Sequence, residues 1–216
     1  MHDKQTAQTG SIFQSLIFFC GLLIFICFIQ LEFPRNLCSV LGIILSGRII
    51  LSEIRSFKDL PCIFDVKKPT EYFGYFFAVS ILLGLFWGIV FRQSLNIPII
   101  PEKPGYFAFI AMAIGMVEEL IFRGYIQRKL RNIGIVFSIF GASLMHAFYK
   151  CFIFIILSDI HPTDFFHLFI WTFVVGCILG ALKEFSGNSL VPVSGHAMFD
   201  LIVYGDGRID TWWVWL

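Results

Sequence analysis

The sequence predicts an all-α protein, a polytopic integral-membrane helical bundle of about seven (six to eight) transmembrane helices. Composition is the first reason: 57% of the 216 residues are hydrophobic and 14% charged, whereas soluble domains sit near half apolar and a quarter charged. The second is pattern. Apolar runs long enough to cross a bilayer recur along the chain, and the alternation of a barrel strand is absent. With a net charge of +1 and no basic stripe to neutralise phosphates, nucleic acid is excluded as a partner.

The first ten residues, "MHDKQTAQTG", are polar and read as a mobile terminus that includes His2. The run that follows is too long for a signal-peptide core and has no small-x-small cleavage site, so 12–31 is expected to remain as a span. Further spans are expected at 37–52 (short), 72–91, 105–127, 133–157 (long enough to bend or split), 165–183 and 189–204. The last starts at Asn188 or Ser189 and carries Pro192 in its first turn, where a missing N–H costs little. Residues 53–71, charged and containing Pro61, read as a cytoplasmic loop, and the closing "TWWVWL" reads as an interfacial aromatic anchor. No internal repeat is visible, which argues against a carrier built from inverted halves. The six cysteines, 20, 27, 38, 62, 151 and 177, contain no C-x-x-C pair and read as buried free thiols.

Seven crossings place Lys4, Arg48, Arg55, Lys58, Lys67, Lys68, Arg128, Lys129, Arg131 and Lys183 on the side of the N-terminus. Arg35, Arg92, Lys103, Lys150 and Arg208 fall on the other side, so the N-terminus is expected in the cytoplasm. The chain divides into N-terminal helices with a basic loop, 1–104, and a chemistry-bearing core, 105–216, within one membrane domain.

Ionisable side chains inside a bilayer are costly and point to function. They concentrate in "MVEELIFRGY" (Glu118, Glu119, Arg123), in "FGASLMHAF" (His146) and in "GNSLVPVSGHAMFD" (His196, Asp200). Counted from the cytoplasmic ends at about 1.5 Å per residue, Glu118, His196 and His146 lie roughly 14, 11 and 20 Å deep. Glu119 and Arg123 are i, i+4 and can pair on one face, while Glu118 is turned about 100° away toward another partner. One ion pair explains one glutamate, not two. His196 and Asp200 are also i, i+4, so a carboxylate can orient an imidazole one turn away. Gly141, Ala142, Ser143 and Ala147 around His146 allow close helix approach. In contrast, His161 and His167, with Asp159 and Asp164, read as solvated loop residues.

A Glu/His pair can take a proton from water while the resulting hydroxide-like oxygen attacks a carbonyl, and a second histidine can donate to the oxyanion. G-x-S-x-G and H-E-x-x-H are both absent. His₂Glu is also a recognised zinc ligand set, so the residues leave open whether the water is free or metal-bound.

"EELIFRG", the downstream intramembrane histidine and "GNSLVPVSGHAMFDL" together resemble the CAAX protease and bacteriocin-processing (Abi) family, over roughly 105–205. The resemblance implies a glutamic-type intramembrane endopeptidase. It implies that Glu118 activates water, that Glu119 and Arg123 complete its motif, that His146 helps hold the water, and that His196 and Asp200 serve the oxyanion. Two departures stand out. Ala142 occupies the usual Phe position of F-x-x-x-H, and Asp200 stands where the prenyl-protease branch has Asn. An ionised Asp has no hydrogen to donate, so Asp200 is expected to orient His196. The expected partners are membrane lipids and a protein or peptide substrate, membrane-anchored or lipid-modified, with no cofactor. The alternatives are a zinc metallopeptidase ligated by Glu118, His146 and His196, or a non-proteolytic scaffold or immunity protein.

Overall fold

The computed structural model describes residues 2–29, 31–102, 105–157 and 165–206. The aromatic anchor at 211–216, the loop with Asp159, His161 and Asp164, and Lys103 and Arg208 lie outside the described residues.

The described residues are helical, with no strand among them. The elements are α1 (His2–Ile29), α2 (Leu37–Leu51), a 3₁₀ turn (Phe57–Asp59) leading into α3 (Leu60–Ile63), and α4 (Phe73–Ser94). After these come α5 (Tyr106–Glu119), a π-helical segment (Leu120–Gln127), α6 (Arg128–Leu130), α7 (Ile135–Leu157), α8 (Phe165–Ser186) and α9 (Leu190–Val203). Each expected span has a helix within a few residues of it. The differences are informative: α1 begins at His2, α7 runs unbroken, and 105–127 changes from α to π geometry directly after the glutamate pair. Thr9–Ile29, Phe73–Ser94, Ile135–Ile153 and Phe165–Ser186 are long and apolar enough to cross a membrane, with α2 and α9 shorter apolar helices. The exact count of seven crossings therefore does not follow from helix length.

The outside is apolar and the inside is charged. Phe13, Leu41, Leu82, Phe86, Phe109, Phe137, Phe166 and Trp171 are exposed, whereas Arg92, Glu118, Glu119, Arg123, Lys183 and Asp200 are buried. That inversion of a soluble protein suits a hydrocarbon surround. It also corrects the charge count: Arg92, Lys150 and Lys183, assigned to loops from the sequence, are buried inside the bundle. All six cysteines are free, but only Cys151 is buried; Cys20 and Cys62 are exposed.

Small residues set the helix contacts. On α4, Ser80, Gly84 and Gly88 recur every fourth position and are buried against α9. A Cβ at Gly84 would collide with the Gly195 carbonyl, so the two backbones touch directly. Likewise, Gly21 and Gly42 let α1 meet α2, where the Ser46 hydroxyl donates to Phe18 O at 3.0 Å. A core of Phe18, Ile63, Phe122, Tyr125, Ile126, Leu130 and Ala142 joins α1, α3, the π segment and α7. Another, Leu179, Leu182 and Val191, packs on the aromatic face of α4. Gly187, at φ 66°, ends α8 in the left-handed conformation that glycine adopts without strain. Asn188 Oδ1 then accepts from Leu190 N at 3.0 Å and starts α9.

Candidate active site

Three chain segments converge on one polar pocket: the end of α5 with the π segment, the middle of α7, and α9. The widened π turn buries Phe122 through Gln127 without interruption, a local geometry often found at functional sites. Gly124 permits it, because a Cβ there would strike the Phe64 carbonyl of the loop beneath.

Arg123 is fully buried, with its Nε 3.4 Å from Glu119 Oε2. Both its terminal nitrogens lie 3.2 Å from His146 Nδ1. A guanidinium only donates, so Nδ1 must accept, and neutral His146 carries its proton on Nε2. That Nε2 faces Glu118 Oε2 at 3.4 Å and makes no hydrogen bond. The imidazole is held flat by Phe122, stacked at 4.4 Å between centroids and 14° between planes.

Glu119 has a second task. Its Oε1 accepts from His196 Nδ1 at 3.0 Å. The carboxylate expected to orient His196, Asp200, is instead 3.7 Å from the opposite nitrogen, Nε2, and its Oδ2 is buried without a hydrogen bond. Glu119 therefore bridges Arg123 and His196, and Asp200 stands beyond. Gly115 makes room for this: a side chain there would press on Asp200 Oδ2 and on the His196 ring. Gly176 does the same for Arg123 from α8.

Glu118 is 2% exposed. Neither of its oxygens accepts a hydrogen bond. Oε2 has His146 Nε2 at 3.4 Å, His196 Nε2 at 3.9 Å and the Lys150 ammonium at 2.8 Å as an ion pair. The other partner expected for Glu118 therefore includes a cation, Lys150. The signal for Lys150 was present, an ionisable residue one turn after His146 inside an apolar run, but it was counted among the loop charges. Nothing in the sequence pattern singled out Phe122, Gly115 or Gly176.

Glu118 also lines an apolar groove of about 470 Å³ with Phe109, Ile110, Ile114, Val117, Ile121 and Tyr149. Phe109, Ile110 and Val117 are exposed on the outer face of α5, so the groove leads from the protein exterior to the carboxylate.

Residues 101–202, just under half the chain, match the family described as Type II CAAX prenyl endopeptidase Rce1-like. This stretch is similar to the CAAX protease family. No curated protein and no solved structure matches the chain. The family is one of membrane proteases acting on protein or peptide substrates, and the matched stretch holds all six residues singled out from the sequence, Glu118, Glu119, Arg123, His146, His196 and Asp200.

Glu118 Oε2 has both imidazole Nε2 atoms within 4 Å, and among the described residues no group of three His, Cys, Asp or Glu side chains stands in metal-holding geometry. The Lys150 ammonium already stands against the oxygen that both imidazoles approach.

Proposed function

We propose that the chain is an intramembrane endopeptidase in which Glu118 and His146 activate water and His196 stabilises the oxyanion. The carrying observation is a buried carboxylate with no hydrogen bond of its own, beside two imidazoles, at the inner end of an apolar groove. The 105–216 half supplies the chemistry, and helices of the 1–104 half buttress it.

Water held between Glu118 and the Nε2–H of His146 gives its proton to Glu118 as its oxygen attacks the scissile carbonyl carbon. The carbonyl π pair moves onto oxygen, and His196 Nε2 donates to it. His196 can donate there only when both nitrogens carry protons, because Nδ1–H is committed to Glu119. Glu119 and Asp200 on either side supply the counter-charge that form requires. Collapse of the tetrahedral intermediate breaks the C–N bond, and the proton on Glu118 passes to the leaving amine. No covalent enzyme intermediate forms.

The substrate is a peptide segment of a membrane-associated protein whose apolar part lies in the groove along α5. The chain crosses the bilayer about seven times with its N-terminus cytoplasmic. With Arg92, Lys150 and Lys183 set aside as buried, the loop lysines and arginines still favour the N-terminal side.

The test uses purified protein in detergent and a peptide bearing a farnesylated cysteine followed by three residues and a free carboxylate. Wild-type protein is expected to release the tripeptide, and Glu118→Gln to slow release by roughly 100-fold or more. Cleavage by Glu118→Gln at the wild-type rate removes Glu118 as the base.

A further inference from the structure

The sequence pattern gives a role to one cation of the pocket, Arg123, and leaves the other, Lys150, unassigned. Lys150 sits on α7 one helical turn beyond His146 and is buried. Its ammonium is 2.8 Å from Glu118 Oε2. The rest of the pocket sharpens what this contact does. Of the two buried cations, Arg123 faces Glu119 and His146, and Lys150 faces Glu118, so each glutamate has one cation. The two oxygens of Glu118 are also unequal: Oε2 has Lys150, His146 and His196 within 4 Å, and Oε1 is buried and bonded to nothing.

We infer that Lys150 is a positioning residue for the hydrolytic reaction: its ammonium fixes Glu118 Oε2 and so presents Oε1 as the oxygen that takes the proton from water. The inference rests on the endopeptidase reading of this site and adds to it the division of labour between the two carboxylate oxygens.

The physical case is one of direction. A buried glutamate has three side-chain torsions and, without an ion pair, nothing here to hold its carboxylate plane, since it accepts no hydrogen bond. A general base must stand within hydrogen-bond reach of the proton it removes. An ammonium on one oxygen selects a single rotation about the last torsion and offsets the cost of an isolated buried anion. Lysine suits the place because its three donors on a flexible stem act as a compact point charge. Because Lys150 and His146 share α7 at i, i+4, the same helix face aims both at Glu118.

The experiment compares wild-type, Glu118→Gln, Lys150→Met, Lys150→Arg and Lys150→Ala proteins at equal membrane abundance. It follows the rate at which wild-type-dependent protein termini appear after induction. Lys150→Met keeps the length of the stem without the charge and is expected to slow the rate by about tenfold to 100-fold, without loss of protein. Lys150→Arg is expected to recover most of the rate, and added methylammonium to restore part of it to Lys150→Ala, effects that a packing role would not produce. Lys150→Met at the wild-type rate, or Lys150→Met and Lys150→Arg equally slow with no amine rescue, overturns the inference while a dead Glu118→Gln keeps the protease reading. If Glu118→Gln gives the wild-type termini, the protease reading falls and this inference with it.

Discussion

Among the described residues the bundle buries two arginines completely, and they are used in opposite ways. Arg92 gives its Nε to Pro98 O at 2.5 Å and shares its terminal nitrogens among Ile202 O, Val203 O and the carboxylate of Asp206. Every nitrogen is committed, mostly to backbone, and the result is a clamp joining the end of α4 to the end of α9. Arg123 touches side chains only. Its terminal nitrogens meet His146 and its Nε approaches Glu119 without forming a hydrogen bond. Around it Glu118, Asp200 and His146 Nε2 also keep unbonded atoms. Burial of a charge does not by itself distinguish a structural residue from a functional one. The identity of the partners, and the atoms left without one, do.

If this contrast is right, the two arginines should fail differently, and the largest effect belongs to the open pocket. Glu118→Gln should lower hydrolysis by roughly 100-fold or more with the protein still accumulating. Asp200→Asn should lower activity but keep it measurable, since it removes one of the two counter-charges beside His196 and leaves the Glu119 hydrogen bond in place; equal losses in the two variants would break the role assignment. Arg92→Met removes the donors to Pro98, Ile202 and Val203 O and the ion pair to Asp206 and should destabilise the protein by about 3–5 kcal/mol, read as a lower melting temperature in detergent with activity per folded molecule unchanged. Arg123→Lys keeps a charge but not the paired donors on His146. It should accumulate and lose roughly 10- to 100-fold in rate.

Smaller effects sharpen the same comparison. Gly176→Ala presses a methyl on Arg123 and should cost about 1–3 kcal/mol, with a rate loss that Gly84→Ala, at the structural α4–α9 contact, need not show per folded molecule. A third ionic cluster gives a saturated control. In the loop before α4, Asp65 accepts from Lys183 and Lys67 at 2.5 and 2.8 Å, while its carbonyl accepts from Ser189 N at 3.2 Å. Burial pushes the Asp65 carboxyl up, but the hydrogen bonds from Lys183 and Lys67 outweigh it and hold it below the usual range. Its stabilisation is therefore present above the unfolded value of about 4 and is lost as pH falls below it. Asp65→Asn should remove about 1–3 kcal/mol at neutral pH, with a gap to wild type that narrows on acidification. A gap unchanged between neutral and strongly acid pH would contradict that assignment.

The long spans were legible because a bilayer demands a nearly fixed length of apolar helix, and 72–91 and 165–183 declare themselves by length and flanks alone. By contrast, 37–52 and 189–204 were legible as apolar helices whose length does not by itself make a crossing. The Glu119–Arg123 pairing was legible too, since i, i+4 spacing is a local fact. What escaped required knowing which helices meet. Asp200 looked like the orienting group for His196 because it lies one turn away on α9, yet His196 donates its Nδ1 hydrogen bond to Glu119 across the bundle. Lys150 was read as a loop charge because side-chain direction within a span has no local mark. The π turn after Glu119 was invisible for a related reason, as it depends on the packing of Gly124 against the Phe64 carbonyl.

The central claim, that Glu118 is the base of a membrane peptidase, is tested most directly by its products. Protein termini would be compared in membranes from cells carrying the wild-type chain and Glu118→Gln at equal abundance. A defined set of termini present with wild type and missing with Glu118→Gln is the predicted result, and their sequences would spell out the cleavage motif. Identical termini under conditions where the protein is needed would contradict the account and favour a scaffold that keeps the pocket for binding.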